Sequence, residues 1–439
     1  MVTLSSKQIP GSLPDENKLN SNIILIGVLF FVFGFVTWLG SVLIPYLKIA
    51  CELNTFESYF VAFSFYISYA LMAIPSAWVL RRTGSKKGMA VGLVMMAIGA
   101  LLFIPAAMSR QYLLFLLGLF VQGAGLTILQ SASNPYVIML GPLDSAAKRI
   151  SFMGICNGIA GVMAPLILGS IILSDGDSLS ITLTRISGDE KTAVLTGLAH
   201  RVILPYLIMM VVLLLLALLI YRSGLPEIDT DEEDSTINAA NSNKKSIFQF
   251  PHLLLGVATL FLYVGVEVIA VDTIFGFALT QGVAFSTAKY FTGFTILNML
   301  VGYVIGILCI PRFIQQQQAL KISALAGIVF AIMAIATHGM VAVTFIGLLG
   351  LANSLMWPSI WPLALKGLGR FTKIGSSLLI MAIGGGAVIP LVYGRLAQSY
   401  SPHMAYWIVL PSYIAILYYA IAGHKLIKKN KQTWERVEL

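Results

Sequence analysis

Hydrophobic residues in this chain come in long runs separated by short polar breaks, repeated from one end to the other. Six runs fall at 22–47, 57–80, 89–108, 111–140, 150–173 and 202–223. Six more follow at 252–280, 287–311, 319–337, 341–365, 374–397 and 403–424. A bilayer core of ~30 Å needs about 20 residues of helix, and these runs have that length. The pattern predicts an all-α polytopic membrane protein with twelve transmembrane helices. The first run follows a polar start and lacks a small-residue cleavage site, so it reads as a retained span and not as a removed signal peptide.

The polar breaks divide the chain. Residues 224–250 carry the acidic run Asp229-Thr230-Asp231-Glu232-Glu233-Asp234 followed by Asn and Ser, with no apolar periodicity. Such a segment reads as a flexible linker. The expected organisation is a cytoplasmic tail at 1–21, a six-helix bundle at 22–223, the cytoplasmic linker at 224–250, a second bundle at 251–424 and a basic cytoplasmic tail at 425–439. Residues 174–200 are the other sizeable loop. A repeat supports two pseudo-symmetric halves. Gly161, Pro165, Leu166 and Gly169 of span 5 return as Gly386, Pro390, Leu391 and Gly394 of span 11, displaced by 225 residues, and Asn134-Pro135 returns as Trp357-Pro358, displaced by 223. Glycine allows close helix approach, and proline frees a carbonyl that must face protein or water. Gly385 and Gly386 ahead of Pro390 therefore make span 11 a candidate hinge.

Composition agrees with a lipid-solvated fold. The chain is 58% hydrophobic and 11% charged, against roughly 25% charged residues in soluble domains. With a cytoplasmic N-terminus, the tails and even-numbered loops collect most of the Lys and Arg, including Arg81, Arg82, Lys86 and Lys87, then Lys366, Arg370 and Lys373, then Lys425, Lys428, Lys429 and Lys431. The net charge of +9 is thus a topology signal and a contact with the lipid bilayer, not a nucleic-acid footprint. Cys51, Cys156 and Cys309 are isolated, and no two of the five histidines sit four apart. No metal site and no cofactor beyond a coupling ion are expected.

Polar side chains inside a membrane span mark a pathway, because each costs free energy unless it meets a partner or water. Span 4 places Thr127, Gln130, Ser131 and Asn134 on one helical face. Span 5 has Ser151, Gly154, Asn157, Gly158 and Gly161, and span 10 stacks Asn353, Trp357 and Trp361 at steps of four. Span 8 adds Thr292, Thr295 and Asn298; span 1 adds Thr37, Trp38 and Ser41. Amides, hydroxyls and indoles on converging faces suit a neutral polyhydroxylated ligand, whose hydroxyls need donors and acceptors while its C–H face stacks on Trp. Interhelical hydrogen bonding and ordinary packing are the competing roles for the same residues. Glu267 and Asp272 are the two acids well inside a span. At 1.5 Å per residue from Pro251 they lie ~24 Å and ~32 Å along span 7, and five residues give ~140° of rotation, so a straight helix puts them on different faces. Burying either as an ion costs at least ~2.5–3.5 kcal/mol, which a proton, a bound cation or a basic partner would offset.

Several strings resemble the fucose–galactose–glucose permease branch of the major facilitator superfamily: FFVFGFVTWLGSVLIPYL from Phe30, GAGLTILQSASNPYVIMLGP from Gly123 and IGGGAVIPLVYG from Ile383. Residues 149–158, 262–276 and 352–365 look most like the N-acetylglucosamine permeases of that branch. The resemblance implies sugar symport with H+ or Na+ by alternating access in a bacterial inner membrane. It places Asn157 at a sugar-facing asparagine and Trp357 at an aromatic position of the fucose permease. Ser41 stands where that permease has an acid, and Gln130 where it has the glutamate thought to carry the proton, which shifts coupling onto Glu267 and Asp272. The expected protein is a monomeric sugar importer, no enzyme, with N-acetylglucosamine leading and glucose or galactose following. A multidrug or lipid exporter and a non-transporting sugar sensor are the alternatives.

Overall fold

The structure, a computed structural model, describes residues 16–139, 146–225, 246–310 and 312–426. Residues 427–439 of the expected tail at 425–439, with Lys428, Lys429 and Lys431, and the acidic part of the linker lie outside the described residues. Every regular element among those described is a helix.

Helix α1 is built from Glu16–Thr37 and Gly40–Ala50, broken at Trp38-Leu39. It starts six residues before the expected 22, so part of the predicted tail is helical. Phe60–Ser109 runs as one 50-residue element but turns at Gly84, whose φ of 76° and ψ of 175° suit a residue without Cβ. At 1.5 Å per residue that element would be about 75 Å long, far more than a bilayer core; it is therefore α2 (60–83) and α3 (85–109). Then come α4 (Tyr112–Met139), α5 (Ala146–Ile172) and α6 (Ile203–Arg222). The second half holds α7 (Pro251–Asp272 continued by Ile274–Thr280), α8 (Phe285–Cys309) and α9 (Gln316–Ala336). It ends with α10 (Gly339–Asn353 and Met356–Leu365), α11 (Thr372–Ala382 and Gly385–Ser399) and α12 (402–421, opening at Pro402). Eleven helical stretches among the described residues are long and apolar enough to cross a membrane, and the 55-residue one, Thr55–Ser109, holds both α2 and α3, which makes twelve spans.

The predicted loop at 174–200 is mostly helical: Gly176–Arg185 and Gly188–His200 lie across the end of the bundle away from the chain termini, here called distal. They are held by polar contacts that apolar patterning does not reveal. Tyr46 Oη donates to the carbonyls of Leu198 and Ala199 at 3.1 and 2.9 Å. Arg201 pairs with Asp175 (Nη2–Oδ2 2.8 Å) and holds that carboxyl below its ordinary range. Lys191 reaches Glu52 at 2.7 Å.

Packing without a hydrophobic driving force relies on small residues and close backbones. Gly34 of α1 lies against the backbone carbonyl of Asn157 on α5, and Gly385 of α11 lies against that of Phe261 on α7. These are counterpart contacts six helices apart. Between halves, α2 packs on α11 and α5 on α8, again a pair exchanged by the repeat. The distal end is closed. Phe56 N donates to Gln398 Oε1 at 2.8 Å, Tyr59 meets Tyr393 edge-on at 5.5 Å, and Trp38 packs with Val271, Ile296 and Met299. Along α5, Leu300 of α8 sits on Gly158, whereas a methyl on Gly154, one turn nearer the termini, would meet nothing within 4 Å.

Candidate functional site

The break in α1 sets the first part of the site. Trp38 leaves the helix just above the middle of the bundle, and its Nε1 donates to Asn157 Oδ1 on α5 at 3.4 Å. Gly161 gives the indole its space, since a methyl there would meet the ring Cδ1. Ser41 is fully buried and donates to the Trp38 carbonyl at 3.0 Å, so it caps the break. The carboxylate closest to this turn belongs to α7: a methyl on Gly40 would lie 2.8 Å from Asp272 Oδ2.

The second half supplies an aromatic wall. Trp357 and Trp361 stack at 5.3 Å and 28°, and Tyr263 of α7 meets Trp357 at 6.5 Å. Tyr263 Oη donates to Glu267 Oε1 at 2.5 Å one turn along the same helix. Tyr303 of α8 joins the two parts: it packs against the Trp38 cluster and lies within electrostatic reach of Glu267. Asn157, Glu267, Tyr303, Trp357 and Trp361 are all partly exposed, as are Gln130, Ser131 and Asn134 on α4. Ser131 meets the buried Ser76 of α2 at 3.3 Å.

Not every expected residue comes to this centre. Asn353 is fully buried and accepts from Tyr413 Oη at 2.9 Å, inside the second half. The step of four from Asn353 to Trp357 fails because α10 breaks at Ser354-Leu355, so periodicity does not carry across. Asn298 is partly exposed, but its Nδ2 donates to the Phe294 carbonyl of its own helix at 2.9 Å. Thr127, Thr292 and Thr295 are buried and donate to backbone carbonyls. Glu267 and Asp272 part as their rotation requires: Glu267 borders the centre, and Asp272 is 2% exposed at the distal seam. Gly385, Gly386 and Pro390 follow the α11 break at Ile383-Gly384, with Gly386 seated on the Tyr66 ring of the other half. Sequence reasoning missed Tyr263 and Tyr303. The four-residue step from Tyr263 to Glu267 is a legible signal; Tyr303 has none without the fold.

Residues 26–388 match the model of the Major Facilitator Superfamily. The chain belongs to that superfamily. As a major facilitator protein it is a multi-pass membrane transporter and not an enzyme. It is 34% identical over 433 residues to a glucose/galactose transporter of Brucella abortus, covering 94% of this chain and 99% of that one. It is 30% identical over 396 residues to the L-fucose-proton symporter of Escherichia coli, covering 88% and 89%. A crystal structure of the major facilitator transporter FucP in the outward conformation superposes with a TM-score of 0.71 at 28% identity, covering 92% of this chain and 98% of that one. These matches fit the fucose–galactose–glucose permease branch that the sequence motifs resemble.

Proposed function

We propose that this major facilitator chain imports a neutral pyranose sugar across a bacterial inner membrane by cation symport, as a monomer with both termini cytoplasmic. The observation that carries the reading is the pairing, through Tyr303, of an indole–amide contact in one half (Trp38–Asn157) with stacked indoles and an acid in the other (Trp357, Trp361 and Glu267). A sugar ring presents C–H faces to indoles and hydroxyls to amides and carboxylates. A site shared by two halves that must move apart also links ligand binding to conformation.

The named relatives favour glucose or galactose. N-acetylglucosamine is the second reading, because the segments at 149–158, 262–276 and 352–365, which supply Asn157, Glu267 and both tryptophans, look most like permeases for that sugar. Glu267 and Asp272 are the coupling acids for H+ or Na+, and no other cofactor is needed. Counterflow of radiolabelled glucose, galactose and N-acetylglucosamine in proteoliposomes, with and without sodium, tests the reading. Saturable counterflow of one of them is expected. Its absence for all three, with transport of an amphipathic dye instead, would replace the sugar importer with the exporter.

A further inference from the structure

Most of the described buried polar atoms that lack partners gather in one place, with single ones on Ser133, Asn353 and Ser359 lying elsewhere. Among the described buried side chains, Thr37 Oγ1, Gln122 Nε2, Tyr206 Oη and both carboxylate oxygens of Asp272 have no hydrogen-bond partner. All four residues line one cavity of about 10 Å³, enough for a single water-sized occupant. They come from α1, α4, α6 and α7, so the cavity draws on both halves. Its walls are Val36, Leu43, Val61, Phe65 and Leu119, all buried. Tyr206 is fixed by a stack on Phe103 at 3.7 Å.

Asp272 supplies a charge with nothing to meet it. The ion pairs among the described residues use Glu52 and Asp175, not Asp272. The titratable groups within its electrostatic reach, Tyr59 and Tyr66, and Tyr206 elsewhere on the cavity wall, are phenols without positive charge. A buried carboxylate needs a proton or a cation. A proton would serve one oxygen of Asp272 and leave Thr37, Tyr206 and Gln122 unpaired. A neutral water alone would pair them and leave the charge, and a proton on Asp272 with a water beside it is the competing occupant that the experiment below separates. One small monovalent cation does both, and every group can offer it an oxygen: carboxylate, hydroxyl, phenol and, after a half-turn of the terminal amide, the Gln122 carbonyl.

We propose that this cavity is a sodium site, in which Asp272, Thr37, Tyr206 and Gln122 hold one ion across the closed distal seam. Gly40 is part of the site, because its missing Cβ lets α1 reach the carboxylate. Since α7 supplies the charge and the first half the neutral donors, the full donor set exists only while the distal end is shut. The ion therefore stabilises that closed state in preference to any other. This deepens the cation-symport reading by naming the ion and its donors, but the site is tested without sugar.

The experiment is 22Na+ binding to the purified full-length protein at fixed pH and ionic strength, with choline replacing sodium. Saturable binding that potassium displaces poorly is expected. Asp272→Asn should abolish it, and Thr37→Val or Tyr206→Phe should raise the half-saturating concentration about 5-fold or more. A cooperative thermal unfolding transition close to that of the wild type, measured without sodium, shows that each variant is folded. The two neutral variants keep the test decisive where Asp272→Asn misfolds. No saturable sodium binding by the wild type, or binding untouched by Thr37→Val and Tyr206→Phe, overturns the proposal. So does proton uptake at Asp272 without sodium binding. Sodium binding with no sugar binding would instead defeat the importer reading and leave the site standing.

Discussion

Asn157 and Trp357 show what single side chains contribute to the proposed site. Each is partly exposed, and each already has one partner, Trp38 Nε1 for the amide and the Trp361 ring for the indole. Asn157→Ala removes one neutral hydrogen-bonding group, worth ~0.5–1.5 kcal/mol net, so sugar affinity should fall roughly 2- to 13-fold with membrane expression near normal. Trp357→Ala should weaken binding at least as much, because the stacking face goes with it. Equilibrium binding of the transported sugar checks both, and unchanged affinity in the pair would take them out of the site. Glu267 has a different task. Glu267→Gln keeps an acceptor for Tyr263 Oη but cannot ionise, so accumulation against a gradient should be lost while sugar exchange continues. Wild-type accumulation by that variant would exclude Glu267 as an essential coupling acid. These residues were legible because a polar group in an apolar run stands out by itself. Asn353 stood out equally, and only the break behind it turned it toward Tyr413.

At the scale of elements, hydropathy located all twelve helices, while their breaks escaped it. The interruptions at Trp38-Leu39, Thr273, Ser354-Leu355 and Ile383-Gly384 change no average hydrophobicity, yet they decide which polar faces converge. The distal helices Gly176–Arg185 and Gly188–His200 escaped for the opposite reason, being too polar to register as spans. The repeated glycines of α5 and α11 were visible in sequence, but the fold gives them different neighbours: Gly161 and Gly169 face α1 of their own half, whereas Gly386 and Gly394 face Tyr66 and Tyr59 of the other. A methyl on Gly386 would lie 2.8 Å from Tyr66 Cγ and 3.1 Å from Val268 Cγ2, from α2 and α7 respectively. Gly386→Leu should therefore force α11 away from α2, at about 1–3 kcal/mol of overpacking. Net uptake should fall by a larger factor than sugar affinity, because the substitution sits where helices of different halves slide past one another. Gly197→Leu, where a methyl meets nothing within 4 Å, is the control. Equal losses of affinity and uptake in Gly386→Leu would mark the position as packing alone.

For the molecule as a whole, transport requires the closed distal end to open, and the seam offers a direct way to ask whether it does. The halves meet there through Tyr59, which precedes α2, and Gly394 of α11, and a Cβ built on Gly394 would stand 3.2 Å from Tyr59 Cβ. That is slightly shorter than the ~3.5–4.5 Å Cβ separation of a disulfide, a difference that slight backbone adjustment makes up. Cysteines at both positions, with Cys51, Cys156 and Cys309 changed to Ser, should therefore cross-link on mild oxidation, as mass spectrometry would register. The bond would hold the seam shut and leave the end nearer the termini free. Uptake should stop on oxidation and return with reductant, while sugar still binds from the side of the termini in opened membranes. Each single-cysteine variant should transport under both conditions, which separates the cross-link from the loss of the Tyr59–Tyr393 contact. Should the verified cross-link leave uptake intact, the two halves need not separate at this seam. Coupling through Asp272 would then lose its mechanical basis, because its donors from the first half would never leave it.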